Sequence, residues 1–161
     1  MSKRAIINGI FKSAKTRSDS YFSSVSSKKR LLHDLAGIAE TCYHTDYSNT
    51  VEALIERESL GPTGVGGGVA LPHARLENLD HVVGAFILLE SPVEFEAIDK
   101  QPVDVVFSLF APKSSGVEHL KALALVSRTL REQSIVAKLR SNPDPSTLYT
   151  ILTEPANVKA A

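Results

Sequence analysis

Tryptophan is missing from this chain, and cysteine occurs once, as Cys42. A single thiol can close no intramolecular disulfide and build no CxxC metal site. It suits a reducing compartment, so a cytoplasmic location is expected. Long apolar runs are also missing: the best stretch, Ala85 to Leu89, has five residues, where crossing a bilayer takes roughly 20. Net charge is zero, with 18 Lys+Arg against 18 Asp+Glu, which removes the electrostatic reason to expect nucleic acid or a membrane surface as partner. Beyond Ser27 there is no repeat, no low-complexity stretch and no linker able to split the chain. What remains is an ordinary soluble composition, 43% apolar and 22% charged over 161 residues, enough for one domain with a real core.

The zero net charge hides an asymmetry. Residues 1–30 carry eight bases and one acid, Asp19. A basic, Ser-rich leader is the pattern of a transit peptide or a nucleic-acid arm, or simply of a loosely ordered terminus whose charges are solvated. The last reading is adopted, with residues 1–25 as leader, 26–155 as the domain and 156–161 as a tail. A secretory signal is not expected, because Asn8 and Gly9 interrupt the short apolar stretch Ala5 to Phe11.

Ser26 or Ser27 can cap a helix whose apolar face is Leu31, Leu32, Leu35, Ile38, Ala39 and Cys42. A polar turn, His44 to Ser48, precedes a second helix built on Val51, Ala53, Leu54 and Ile55, which Gly61-Pro62 stops. Glycine then occupies five of the eight positions from Gly61 to Gly68. Extended segments are expected at Val69 to Leu71, Val82 to Glu90, Val93 to Phe95 and Val103 to Ala111. The near-continuous apolar run Val82 to Leu89 reads as a strand covered on both faces. Ser115 and Glu118 form a capping-box signature for a helix running to about Arg131. Helices at Gln133 to Arg140 and Ser146 to Thr153 complete the reading. The fold class is α/β, a small mixed sheet of about five strands with helices on both faces, without the regular alternation of a doubly wound fold.

The glycine loop is no nucleotide motif. GxGxxG fails at Val69 and at Leu71, and Walker A fails because the chain has no Gly-Lys-Ser/Thr. Gly66, Gly67 and Gly68 do offer backbone N–H groups able to approach a phosphate oxygen. His73 lies directly after Pro72 beside that loop, on stiffened backbone, where an imidazole can serve as nucleophile, base or metal ligand. His119, in the first turn of the helix after Ser115, would be kept neutral by the macrodipole and would welcome an anion nearby. No HxH, HExxH or His-carboxylate cluster supports a metal, and His33, His44 and His81 stand apart. No Gly-x-Ser-x-Gly elbow surrounds Ser59, Ser91 or Ser108, and Cys42 reads as core, so a hydrolase is disfavoured.

The stretch Gly61 to Arg75, GPTGVGGGVALPHAR, resembles the phosphorylation segment of the phosphotransferase-system IIA proteins of the fructose/mannitol/nitrogen class, EIIA type-2. VEALIERESL at 51–60, AIDKQPVDVV at 97–106 and EHLKALALVSR at 118–128 resemble further segments of that class, in the same order. The resemblance covers roughly Ser26 to Thr153, and the absence of an attached domain together with AIDKQPVD is most like the nitrogen-regulatory branch. Ala74 stands where many members have glycine, and Gly67 where a polar residue is common.

The resemblance implies that His73 accepts a phosphoryl group, that Arg57 sits near the phosphorylated imidazole, and that His119 assists without carrying phosphate. It implies an HPr-like protein as donor, and regulatory targets such as potassium-transport or sensor-kinase proteins that read the phosphorylation state. Alternatives are a IIA component of a fructose/mannitol-type uptake system and a non-catalytic binding module of the same fold. Phosphoryl transfer asks a protein mainly for in-line positioning and charge stabilisation on three equatorial oxygens. Imidazole is a nucleophile at neutral pH, and a guanidinium gives a planar donor fork that lysine lacks. No cofactor or metal is expected for that chemistry.

Overall fold

The computed structural model describes residues 27–142 together with 144, 147 and 150–152. The expected basic leader and the C-terminal tail lie outside the described residues.

Helix α1, Lys28–Tyr43, starts where Ser27 accepts the Arg30 N–H at 3.2 Å and ends at His44 in the left-handed region. Helix α2, Tyr47–Ser59, starts on Asp46, whose carboxylate accepts the Asn49 N–H at 2.8 Å. Five strands follow: β1 Gly64–Gly66, β2 Val69–Ala70, β3 His73–Leu76, β4 Val83–Val93 and β5 Val103–Pro112. Then come α3, Val117–Leu130, and α4, Gln133–Ser141. Thr147, Thr150, Ile151 and Leu152 are helical, within the last helix expected from sequence.

β5 is the hub of the mixed sheet. β4 pairs antiparallel along one edge, while β2 and β3 dock parallel, end to end, on the other; β1 closes a hairpin onto β2. The helices cover both faces. Leu31, Leu35 and Leu54 from α1 and α2 pack against Ala85, Ile87, Val106 and Phe110. Ala122, Val126 and Leu130 from α3, with Val136 and Leu139 from α4, pack against Phe86, Val105, Phe107 and Leu109. Adjacent β5 residues thus serve opposite layers, as pleating requires. Each large side chain fully buried this way contributes about 1.5–3 kcal/mol.

Pro72 marks the gap between β2 and β3. It has no N–H to offer a ladder, so the edge breaks there. Its carbonyl is nonetheless held twice by β5, accepting from the Leu109 N–H at 3.1 Å and from the buried Ser108 hydroxyl at 2.9 Å. The next residue is His73, whose backbone is thereby fixed to the middle of the sheet.

Three expectations are corrected. β1 is a strand within the expected glycine loop, and β3 is a strand where no extended segment was expected. The separate strand at Val93 to Phe95 does not form, because β4 continues through Glu90 to Val93 past an irregularity in its pairing with β5. The capping box at Ser115 does not form either: the Ser115 hydroxyl donates to the Pro112 carbonyl at 2.8 Å, and Gly116 starts α3 without a side-chain cap.

Candidate active site

Arg57, His73 and His119, separated by 16 and 46 positions in the sequence, meet at a cleft of about 320 Å³ also lined by Ala53, Glu56, Leu60, Ala74 and Arg75. Arg57 comes from the last turn of α2, His73 opens β3 and His119 lies in the first turn of α3. A break in the sheet and two helix ends therefore build the site.

The geometry assigns the protons on His73. Its Nδ1 lies 2.9 Å from the Leu71 carbonyl oxygen, which can only accept, so Nδ1 carries the hydrogen. Nε2 is then a lone pair, and it accepts from the Nε–H of Arg57 at 3.0 Å. Burial holds the His73 pKa below the ordinary imidazole value; the Leu71 carbonyl opposes that, Arg57 reinforces it, and Glu58 opposes it. The ring is neutral at pH 7, with its nucleophilic nitrogen turned toward a guanidinium.

Arg57 is itself braced, donating from Nη1 to the Gly61 carbonyl at 3.0 Å. The turn after α2 is stapled by Glu58, which accepts from the Thr63 N–H at 3.1 Å and from the Thr63 hydroxyl at 2.5 Å. Lys28 of α1 reaches the same carboxylate at 2.7 Å. These partners fix where Arg57 leaves the helix.

His119 is buried, and its ring centroid lies 5.7 Å from that of His73, tilted by 49°. Burial lowers its pKa, and His73 and Arg75 lower it further. Its Nδ1 is enclosed without a hydrogen-bond partner. A buried lone pair left without a donor costs less than a buried N–H left without an acceptor, which favours the tautomer with the proton on Nε2.

The glycines expected to bind phosphate do not line this cleft. Gly66, Gly67 and Gly68 all have positive φ, at 97°, 65° and 77°, and shape the turn of the β1–β2 hairpin. The Gly67 N–H is already committed, donating to Asp99 at 2.9 Å, and its carbonyl accepts from Arg140 at 2.8 Å. Arg140 in turn grips Asp104 through two bonds of 2.8 and 2.7 Å. A Cβ on Gly68 would stand 2.9 Å from Asp104 and collide with Arg140. These residues hold a hairpin in shape, and the anion at the loop is the protein's own Asp99.

Glu56, Leu60 and Arg75 were missed as members of the cleft. The signal for Arg75 was its spacing, two positions after His73 on what proves to be a strand. Among the described residues, no group of three or more His, Cys, Asp or Glu side chains is placed to hold a metal ion, and no helix is long and apolar enough to cross a membrane.

Over residues 17–154 the chain matches the family described as the phosphoenolpyruvate-dependent sugar phosphotransferase system, EIIA 2. It is 45% identical over 131 residues to a nitrogen regulatory protein of Bradyrhizobium diazoefficiens, covering 81% of this chain and 86% of the relative. A nitrogen regulatory protein of Escherichia coli is 39% identical over 129 residues, covering 80% and 79%. Among solved structures, nitrogen regulatory protein IIA-Ntr from Neisseria meningitidis has the same fold, with a TM-score of 0.76 and 35% identity over 81% of this chain and 89% of that one. The match runs through both helical layers and every strand, and on that ground the chain belongs to the EIIA type-2 family of phosphotransferase-system components.

Proposed function

We propose that this chain is a regulatory phosphocarrier that accepts a phosphoryl group from an HPr-like protein on Nε2 of His73, and that its targets read the resulting state. One observation carries the reading: the Leu71 carbonyl pins the proton on Nδ1, leaving the Nε2 lone pair beside Arg57 at the cleft. In the transfer step that lone pair forms the new N–P bond while the donor's N–P bond breaks, its electrons returning to the donor nitrogen. The Nδ1 proton stays on the ring, hydrogen-bonded to Leu71. The phosphorylated ring then carries a positive charge, which keeps the N–P bond ready to transfer again. Arg57 loses its acceptor when the lone pair is consumed, and its Nε–H turns to a phosphoryl oxygen. His119 supplies a neutral donor.

The names of the relatives support a regulatory role over sugar uptake, since proteins 45% and 39% identical to this chain are nitrogen regulatory proteins. Potassium-transport and sensor-kinase proteins are the targets the resemblance offers. Mixing the chain with a phosphorylated HPr-type protein tests the core of the proposal. A mass gain of about 80 Da, one phosphoryl group, is expected for the wild type and none for His73→Ala. Labelling that persists in His73→Ala moves the acceptor elsewhere, and an unlabelled wild type leaves a binding module.

A further inference from the structure

We propose that Arg75 is a second phosphoryl-binding cation, engaged only once His73 has been phosphorylated; this rests on His73 being the phosphoacceptor. Arg75 follows His73 by two positions in β3, and side chains two apart in a strand leave the same face about 6.6 Å from one another. Both line the cleft, and Ala74 between them, which also borders it, is buried in the core under α1 and α2. The register of β3 on β5, with His73 opposite Leu109 and Arg75 opposite Ala111, holds the two backbone positions together. An arginine side chain is long enough to span the separation to a group on Nε2.

The two arginines differ in their commitments. Arg57 is engaged before any phosphate arrives, with Nε on His73 and Nη1 on Gly61. Arg75 is exposed and makes no hydrogen bond or ion pair with the described residues. Glu56, the acid that lines the cleft with it, forms no ion pair with it. Before phosphorylation the Arg75 charge acts only at a distance, helping to keep His119 neutral, so its donors can turn to negative charge that appears on His73.

Charge bookkeeping says what that work is. With both histidines neutral, the charged side chains lining the cleft are Arg57, Arg75 and Glu56, a net +1. Phosphorylation adds one negative charge overall, because the phosphoryl oxygens carry about two and the Nδ1-protonated ring carries one positive. With Arg75 the cleft passes from +1 to neutral. Without it, the cleft passes from neutral to a net negative charge in half-buried surroundings, where charge is poorly solvated. Arg75 therefore stabilises the phosphorylated form over the unphosphorylated one, and it sets how far the transfer equilibrium favours this chain.

The test equilibrates the full chain with a phosphorylated HPr-type donor and reads both phosphorylated fractions by intact mass, for wild type, Arg75→Gln and Arg75→Lys. Thermal unfolding checks that the variants fold, as expected for an exposed side chain. Arg75→Gln is expected to become labelled on His73 but with a transfer equilibrium constant at least about tenfold lower, and Arg75→Lys to stay within about threefold of wild type, because charge is what is missing. The gap between wild type and Arg75→Gln should narrow in 0.5 M salt, roughly, as screening weakens the charge. An equilibrium constant for Arg75→Gln within about twofold of wild type overturns the proposal, and so does an Arg75→Lys variant as impaired as Arg75→Gln. A wild type that takes no label on His73 overturns the parent reading instead, so the two failures are distinct.

Discussion

The Nε–H of Arg57 donates to Nε2 of His73 across 3.0 Å, so a permanent cation already touches the one ring nitrogen that has a lone pair to give. The contact does two things that a distant charge cannot. It keeps a proton off Nε2, and it orients the ring against the opposing hydrogen bond from Nδ1 to Leu71. The imidazole is held from both ends, with Nε2 at the cleft.

Arg57→Lys separates charge from geometry. Lysine keeps a cation at the negative end of α2, and the last-turn benefit to the helix survives. It cannot donate to His73 and Gly61 at once from a planar fork. The variant should fold with nearly unaltered thermal stability and accept phosphate at least about tenfold more slowly, a loss of roughly 1.4 kcal/mol in the transition state. Rapid-quench labelling measures it; wild-type rates would assign Arg57 to the helix alone.

For His119→Gln, labelling should still occur on His73. Passage of the group onward, or back to the donor, should slow by about 10–1,000-fold, the range for a positioned donor or proton-transfer group. Single-turnover rates in both directions decide the matter. If neither changes, His119 serves packing only.

The depressed pKa values of His73 and His119 predict how stability depends on pH. In the unfolded chain both rings take up protons as pH falls through about 6.5, while the folded rings resist until lower pH. Their contribution is therefore fully present above that value and declines on acidification toward the folded-state pKa values. Melting temperature measured from pH 7.5 to 5, roughly, should fall less steeply in a His73→Gln, His119→Gln double variant. An unchanged slope would mean that neither ring is held neutral by the fold.

Gly67→Ala tests the role of the glycine turn. Position 67 has a φ of 65° and open space around a built Cβ, so the cost is one left-handed alanine, about 1–2 kcal/mol. Because Gly67 faces Asp99 and Arg140 and not the cleft, phosphate acceptance should proceed at the wild-type rate. Denaturant unfolding and labelling measured side by side check both halves. A stable variant with slow labelling would return the loop to the phosphate site.

Elements encoded by near neighbours were legible in the sequence. Ser27 starts α1, Gly61-Pro62 ends the second helix, the apolar run of β4 announces a strand covered on both faces, and Val103 to Ala111 announces β5. β3 was not legible, since His-Ala-Arg-Leu has no strand-like composition; it is a strand because β5 pairs with it from 36 positions away. The partners of the glycine turn were hidden for a related reason. Loose N–H groups were a fair reading of three adjacent glycines, but Asp99 and Arg140, 32 and 73 positions from Gly67, had already claimed that residue. At Ser115 a local capping signal lost to a local competitor, the Pro112 carbonyl. His73 and His119 were singled out by their places after Pro72 and at a helix start, and Arg57 through a likeness to known segments, whereas the tautomer of His73 depends on a carbonyl that only coordinates can place.

The doubly held carbonyl of Pro72 also bears on how the protein folds. Both of its donors come from β5, and the Ser108 bond closes a loop of 36 residues. Parallel pairing over such a separation is slow to form, because loop closure precedes any return from contact. Before β5 docks, His73 follows an untethered proline, and the Leu71 carbonyl has no fixed relation to its ring. Reactivity at His73 is consequently a late property of the chain, gained in the same event that completes the sheet.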